Sequence, residues 1–266
     1  YEERQAEVGE DEVVEISADE IRVALADGEV QPWFQPQVEF GNGKVVGVEA
    51  LARWNRRDGR VVLPRHFVPV VERGGLADAL TETMLVEACR WKRQWDQSGL
   101  RLRLSVNVSP ATLHDPAAAD HYQRLVQELG VDPAEVVLEI TESLVMADAA
   151  RGLGVLARLR LKGFGLSIDD FGTGYSSLAQ LSQVPFTELK IDQGFVAGVH
   201  SQPRKRAVVE ASLDLARKLG LETVAEGVET NEDWQALAAP GCAAAQGFLP
   251  PPPVPGEEPV APVARW

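Results

Sequence analysis

The chain has 266 residues, 45% of them hydrophobic, which is enough to bury the core of one large domain or two small ones. Its formal net charge of −14 argues against a general binder of nucleic acid polymers or anionic membranes, since either would need a basic face. No apolar run approaches about 18 residues, so no direct membrane span is expected in this chain. Cys89 and Cys242 lie far apart and fit a reduced cytoplasmic protein better than a disulfide scaffold.

Residues 1–16 are acidic, with Arg4 the only base, and read as a linker from an upstream domain. They show none of the basic, apolar pattern of a secretory signal. Organised sequence begins at Ser17, which forms a capping box with Glu20, and Gly28 suits the end of that helix. Apolar, β-rich runs follow at 32–39, 44–50, 102–108, 136–140, 164–169, 186–191, 222–226 and 245–249. Helical periodicity lies between several of them. It is clearest at Leu80, Met84, Ala88, Trp91 and Trp95 and recurs at 143–161, 204–219 and 230–239. Pro250 to Pro253, Pro255 and Pro259 argue against a helix there, and 257–266 reads as a proline-rich tail. About eight strands alternating with helices predict an α/β domain of the TIM-like (β/α)8 barrel type. A doubly wound open sheet is the rival, but no strand is followed by G-x-G-x-x-G.

The strand ends carry the chemical information. Glu49, Asn107, Glu139, Asp169 with Asp170, Lys190, Glu226 and Gln246 each occupy the carboxyl end of an otherwise apolar run. In a parallel barrel those ends converge on one face, where active sites lie. Each residue alone has a plain structural role: Asn107 as a helix cap, Lys190 as a rim lysine, the aspartate pair as a solvated turn. Together they form an oxygen-rich nest around a single lysine, and burying so many charges without partners is costly. Oxygen ligands select Mg2+ or Mn2+. His66, His114, His121 and His200 sit outside the strand ends, so zinc is not expected. Adjacent aspartates suit two ions bridged by one carboxylate, an arrangement made for in-line displacement at phosphorus. Gly172 and Gly174 permit an unusual loop just beyond them. Asp170-Phe171-Gly172 also spells a kinase triplet, but no companion kinase motif is present.

The motifs, in order, are QPQV at 35–38, EALARW at 49–54, SVNVSP at 105–110, LEITES at 138–143, IDDFGTGYSS at 168–177, LKID at 189–192, AEGVE at 225–229 and QGF at 246–248. With these the chain resembles the EAL-domain family over about residues 17–256. The resemblance implies a barrel whose first strand is antiparallel to the rest. It also implies a phosphodiesterase that opens cyclic di-GMP to linear pGpG with two Mg2+ or Mn2+ ions, Ca2+ being inhibitory. Carried over by position, Glu49, Asn107, Glu139 and Asp169 look like ligands of one ion. Asp169, Asp170 and Glu226 look like ligands of the other. Lys190 would touch the nucleophilic water, Gln246 would position water or ligand, and Glu142 would anchor the loop 170–177. Gln35 and Arg53 look like substrate contacts. The proton acceptor is left open between Glu226, Lys190 and the ions alone. A homodimer and an upstream sensor or cyclase domain are further expectations. The departures are peripheral: Phe34 and Phe248 stand where tyrosine is frequent, and Pro252 stands where a basic residue is usual. The alternative activity is a sensor that binds cyclic di-GMP without turnover; such a sensor could lose Glu49, an aspartate or Glu226, and this chain keeps them all. An interaction platform driven by an upstream domain is weaker still.

Overall fold

The computed structural model describes residues 16–109, 112, 115–142, 149–173, 181, 183–247, 249 and 251–258. The expected linker up to residue 15, the helical stretch 143–148, the loop residues 174–177, Phe248 and the tail from 259 onward lie outside them.

Among the described residues, ten strands form one sheet: β1 (Val30–Glu39), β2 (Val45–Asn55), β3 (Val61–Val62), β4 (Arg103–Asn107), β5 (Val136–Thr141), β6 (Gly165–Phe171), β7 (Glu188–Ile191), β8 (Glu222–Ala225), β9 (Ala244–Ala245) and β10 (Val254–Pro255). Eight of them close into a ring in the order β1, β2, β4, β5, β6, β7, β8, β9, because β1 pairs with both β2 and β9. Both β1 pairings are antiparallel, and every other pairing in the ring is parallel. Closure removes the open-sheet rival and gives the antiparallel first strand. β3 and β10 are short additions beside β2 and β1.

The helices are α1 (Ala18–Ala26), α2 (Pro64–Arg73), α3 (Ala77–Gln97), α4 (Ala118–Glu128), α5 (Ala149–Leu161), α6 (Gln193–Val196), α7 (Pro203–Leu219) and α8 (Asn231–Ala238). The capping box forms as expected: Ser17 N–H donates to Glu20 Oε2 at 2.9 Å, and Glu20 N–H donates to Ser17 Oγ at 3.2 Å. The strand period of two decides what is inside. Leu104, Val106, Leu138, Ile140, Leu166, Ile168, Leu189 and Ile191 belong to the apolar core shared with the surrounding helices. Their alternates point into the barrel. A second apolar cluster, with Trp54, Phe67 and Ile21, lies under α1 and α2.

The proline-rich stretch just before residue 257 packs against the barrel. Val254 and Pro255 pair with Phe34 and Trp33. Gly256 packs so closely that an added Cβ would sit 2.4 Å from the Trp91 ring, and its carbonyl accepts from Trp95 Nε1 at 3.3 Å.

Side chains from alternate strands stack in layers inside a barrel. Here β2, β5, β7 and the end of β9 contribute Glu49, Glu139, Lys190 and Gln246 to one layer, as the register and the contacts among them show. Gln35, Asn107, Asp169 and Glu226, from the other four strands or just beyond them, rise above it toward the mouth.

Candidate metal centre

Lys190 is the penultimate residue of β7 and is fully buried. Its Nζ stands 2.8 Å from Glu139 Oε2, 3.0 Å from Glu49 Oε2, 2.8 Å from Glu226 Oε1 and 3.2 Å from Asp169 Oδ1. Glu49 is tied further: Asn107 Nδ2 donates to its Oε1 at 2.9 Å, and Gln246 Nε2 donates to its Oε2 at 2.6 Å. Glu226 and Gln246 lie one residue past their strands. Each is still held in place by the ladder, through N–H bonds to Ile191 O at 3.0 Å and Ala225 O at 2.8 Å. Gly247 lets the chain turn there, since a Cβ would lie 2.4 Å from the Val228 backbone.

Adjacent strand residues normally point to opposite faces. Asp169 and Asp170 nevertheless reach one place. The β6–β7 register shifts between Ile168 and Phe171, and Asp170 takes φ 55, the one non-glycine positive φ among the described residues. A bulge with a left-handed residue re-aims the second carboxylate. Ligand atoms of Asp169, Asp170 and Glu226 then lie within 4.8 Å of one another. Glu142 Oε2 accepts the Gly172 N–H at 2.8 Å, as its place just past β5 predicts.

Burial opposes the charged form of Glu49. The Lys190 ammonium and bonds from Gln246, Lys190 and Asn107 outweigh it and hold the pKa below the usual carboxylate range. Glu139 goes the other way: burial, then the charges of Glu49 and Asp169, push it well up despite Lys190. Burial, opposed by Lys190 and reinforced by Asp169, lifts Glu226 to about 8. Asp170 is raised by burial and by Asp169. Burial lowers the pKa of Lys190, but its carboxylates overcome this and keep it charged. Several carboxylates resist ionisation because one ammonium cannot neutralise them, and a dication is a charge that could. Glu139 Oε1 and Gln246 Oε1, buried without a partner among the described residues, are further oxygens for such ions or their water.

Of the predicted substrate contacts, Gln35 borders the nest and Arg53 stands apart from it. Gln35 Oε1 accepts from Gln246 Nε2 at 3.0 Å, and Gln35 Nε2 donates to Gly247 O at 3.2 Å. Arg53 lies four residues beyond Glu49 on β2. Its guanidinium sits 5.6 Å from the Trp33 ring centre and donates to Ala52 O at 2.9 Å. Sequence reasoning passed over Trp33. It also passed over Glu188, whose spacing of two from Lys190 was the available signal. His121 pairs with Glu82 and His200 with Asp233, away from the nest. No helix among the described residues is long and apolar enough to cross a membrane.

The EAL domain family model matches residues 18–253. The chain is 39% identical over 246 residues to cyclic di-GMP phosphodiesterase RocR of Pseudomonas aeruginosa, covering 92% of this chain and 62% of that protein. It is 40% identical over 231 residues to an uncharacterised signalling protein of Caulobacter vibrioides, covering 87% of this chain and 28% of the relative. The chain thus spans less than two thirds of the length of either relative. Among solved structures, "PaMucR Phosphodiesterase, c-di-GMP complex" superposes with a TM-score of 0.84 at 39% identity, covering 89% of this chain and 96% of that one.

Proposed function

The chain belongs to the EAL domain family, and on that premise we propose that it hydrolyses cyclic di-GMP to linear 5′-pGpG, lowering the level of a second messenger. One observation carries this reading: Glu49, Asn107, Glu139, Asp169, Asp170 and Glu226 meet around Lys190 at one mouth of the barrel. The binding-only alternative requires no such complete set.

In this reading Glu49, Asn107, Glu139 and Asp169 hold one Mg2+ or Mn2+, and Asp169, Asp170 and Glu226 hold the second. Asn107 fits the role because its Nδ2 is spent on Glu49, which turns its oxygen outward. Bound ions would supply Lewis acidity, ionising the attacking water near neutral pH and neutralising charge gathering on the phosphoryl oxygens. Lys190 orients that water and balances the nest when the ions are absent. With the ions bound Glu226 would be ionised, and its carboxylate would then be able to take the water's proton. Gln246 and Gln35 line the approach. Arg53, its guanidinium over the Trp33 ring, would meet a phosphate. The water oxygen bonds to phosphorus, one P–O3′ bond breaks, and the departing O3′ collects a proton.

Residues 17–256 form the catalytic unit in this reading. It works in the cytoplasm as a homodimer, downstream of a sensor or cyclase domain, and the greater length of the relatives supports the last point. Incubating the chain with cyclic di-GMP and Mg2+ or Mn2+ and separating the products tests the activity. Formation of pGpG is expected; tight binding with no product would favour the sensor.

A further inference from the structure

Below the Lys190 layer the barrel interior departs from the branched aliphatic filling that such barrels ordinarily have. The next layer down is Gln37, Ser105, Ser167 and Val224, and beneath it come Gly47, Val137, Glu188 and Ala244, as the registers of the ring dictate. Glu188 is 2% exposed, and neither of its carboxylate oxygens has a hydrogen-bond partner among the described residues. The same is true of Gln37 Nε2, Ser105 Oγ and Ser167 Oγ. Arg103 Nη2 stands 3.8 Å from Glu188 Oε2, while Nη1 of the same guanidinium bonds Glu222. Ser167 neighbours Glu188 in the parallel register, and its hydroxyl approaches the carboxylate without closing a well-formed hydrogen bond. Burial raises the Glu188 pKa, opposed by Arg103, by the approach of Ser167 and by Lys190.

Buried polar atoms are costly unless paired, and this set is complementary to water. Gln37 Nε2 donates, Glu188 accepts, and the two serine hydroxyls do either. A buried water needs two to four such partners. A cation would face the Gln37 amide hydrogens and the Lys190 ammonium above. An apolar ligand would leave every group unpaired.

We propose that the barrel interior between Lys190 and Glu188 is a built water site, and that Glu188 acts through it as a positioning residue for Lys190. Glu188 lies two residues before Lys190 on one strand, so both side chains enter the barrel, one below the other. All four oxygens that Lys190 meets belong to residues the ions would also claim. Dications at the mouth repel the ammonium and compete for those oxygens. A negative charge below, relayed by water, holds Nζ at the height from which it meets the attacking water.

The kinetic part of the test rests on the phosphodiesterase reading, and the structural part does not. A high-resolution crystal structure is expected to show ordered water within hydrogen-bond distance of Glu188 and of Ser105, Ser167 or Gln37; a dry interior overturns the proposal. Glu188→Leu should lower kcat by about 10–100-fold. KM should stay within about twofold, since no substrate contact is touched. Melting should occur at the parental temperature or above, because a buried carboxylate gives way to an apolar group and Arg103 keeps Glu222 as a partner. Glu188→Gln, which still bonds water but lacks the charge, should recover only part of the rate. Parental kcat in Glu188→Leu overturns the positioning role, as does a lowered melting temperature with unchanged kcat. If Glu188→Leu does not fold, Ser105→Val carries the same kinetic expectation. If the parent chain makes no pGpG, the phosphodiesterase reading fails, and the crystal structure still decides the water site.

Discussion

Glu142 Oε2 accepts the backbone N–H of Gly172 at 2.8 Å, joining the end of β5 to the turn that follows β6. Gly172 has φ 102, and a Cβ there would meet the Phe195 ring at 2.8 Å, so the turn is specific to glycine. Thr173 ties the same turn back to Asp170 O through its N–H at 3.2 Å and its hydroxyl at 2.9 Å. A left-handed aspartate persists only where its surroundings over-determine it. Glu142, 2% exposed, is one of those determinants. Glu142→Ala should therefore free Asp170 while leaving the barrel folded. The expected loss in kcat is about 10–100-fold, and raising Mg2+ should recover part of it. A parental rate at ordinary Mg2+ would rule out the anchoring role.

Lys190 holds four carboxylates together, so Lys190→Met should do more than slow the reaction. Removing one partner of a buried charge cluster costs about 3–5 kcal/mol, and here the remaining carboxylates repel one another. The metal-free variant should melt well below the parent. Mg2+ should raise its melting temperature more than it raises the parent's, because dications replace the missing charge. Equal Mg2+ shifts in the two proteins would contradict this.

Much of this was legible in the sequence for a physical reason. The β4–β9 strands are short, largely apolar runs with polar residues at or just past the carboxyl end, and those residues sit where a closed parallel ring must bring them. Three helices were not legible: the one-turn α6, and the longer α2 and α4. α2 carries Pro69 in its interior, a residue that disfavours helices, and buries only Phe67 and Val71. α4 offers Tyr122 and Val126 as large buried residues, too few to set a phase. β2 runs on to Asn55, beyond the expected 50, because β1 pairs with it as far as Val30↔Trp54. That pairing is a long-range fact with no local signal. The aspartate pair was legible as a site, but the positive φ at Asp170 that makes both carboxylates converge was not. The water-lined layer around Glu188 escaped as well, because a glutamate at the start of a strand resembles a solvated edge.

Arg53 is 9% exposed and spans Trp33 and the Ala52 carbonyl, outside the nest. Arg53→Ala should weaken substrate binding by about 1.5–3 kcal/mol, the worth of a charged hydrogen bond. KM should rise while kcat changes little. A fall in kcat at constant KM would move Arg53 into the chemical step.

Chelation should abolish turnover, and Mg2+ or Mn2+ should restore it. Ca2+ should inhibit, since it is larger and tolerates irregular coordination, spacing the two sites poorly. Turnover in excess chelator would end the two-ion account.

The last expectation concerns pH and follows from Glu226. Burial raises its carboxyl to about 8 from an ordinary 4.5, against the pull of Lys190 and with help from Asp169 and Glu49. Glu139 and Asp170 are raised in the same direction. Between those two pH values the metal-free folded chain keeps a proton that the unfolded chain has released. Stability falls with pH wherever the folded state binds more protons. The metal-free protein should therefore lose stability as pH climbs from the ordinary carboxylate range toward about 8, and level off above it. Ions reverse the trend. Their binding requires the carboxylates ionised and expels the retained proton, so the affinity for Mg2+ should rise over the same interval. Calorimetric melting from about pH 6 to about pH 9, in chelator and in Mg2+, reads both effects. The chelator curve should fall while the gap between the curves widens. A gap independent of pH would mean that Glu226 and its neighbours are already ionised in the metal-free chain, and that the crowding of carboxylates around Lys190 does not hold protons on the site.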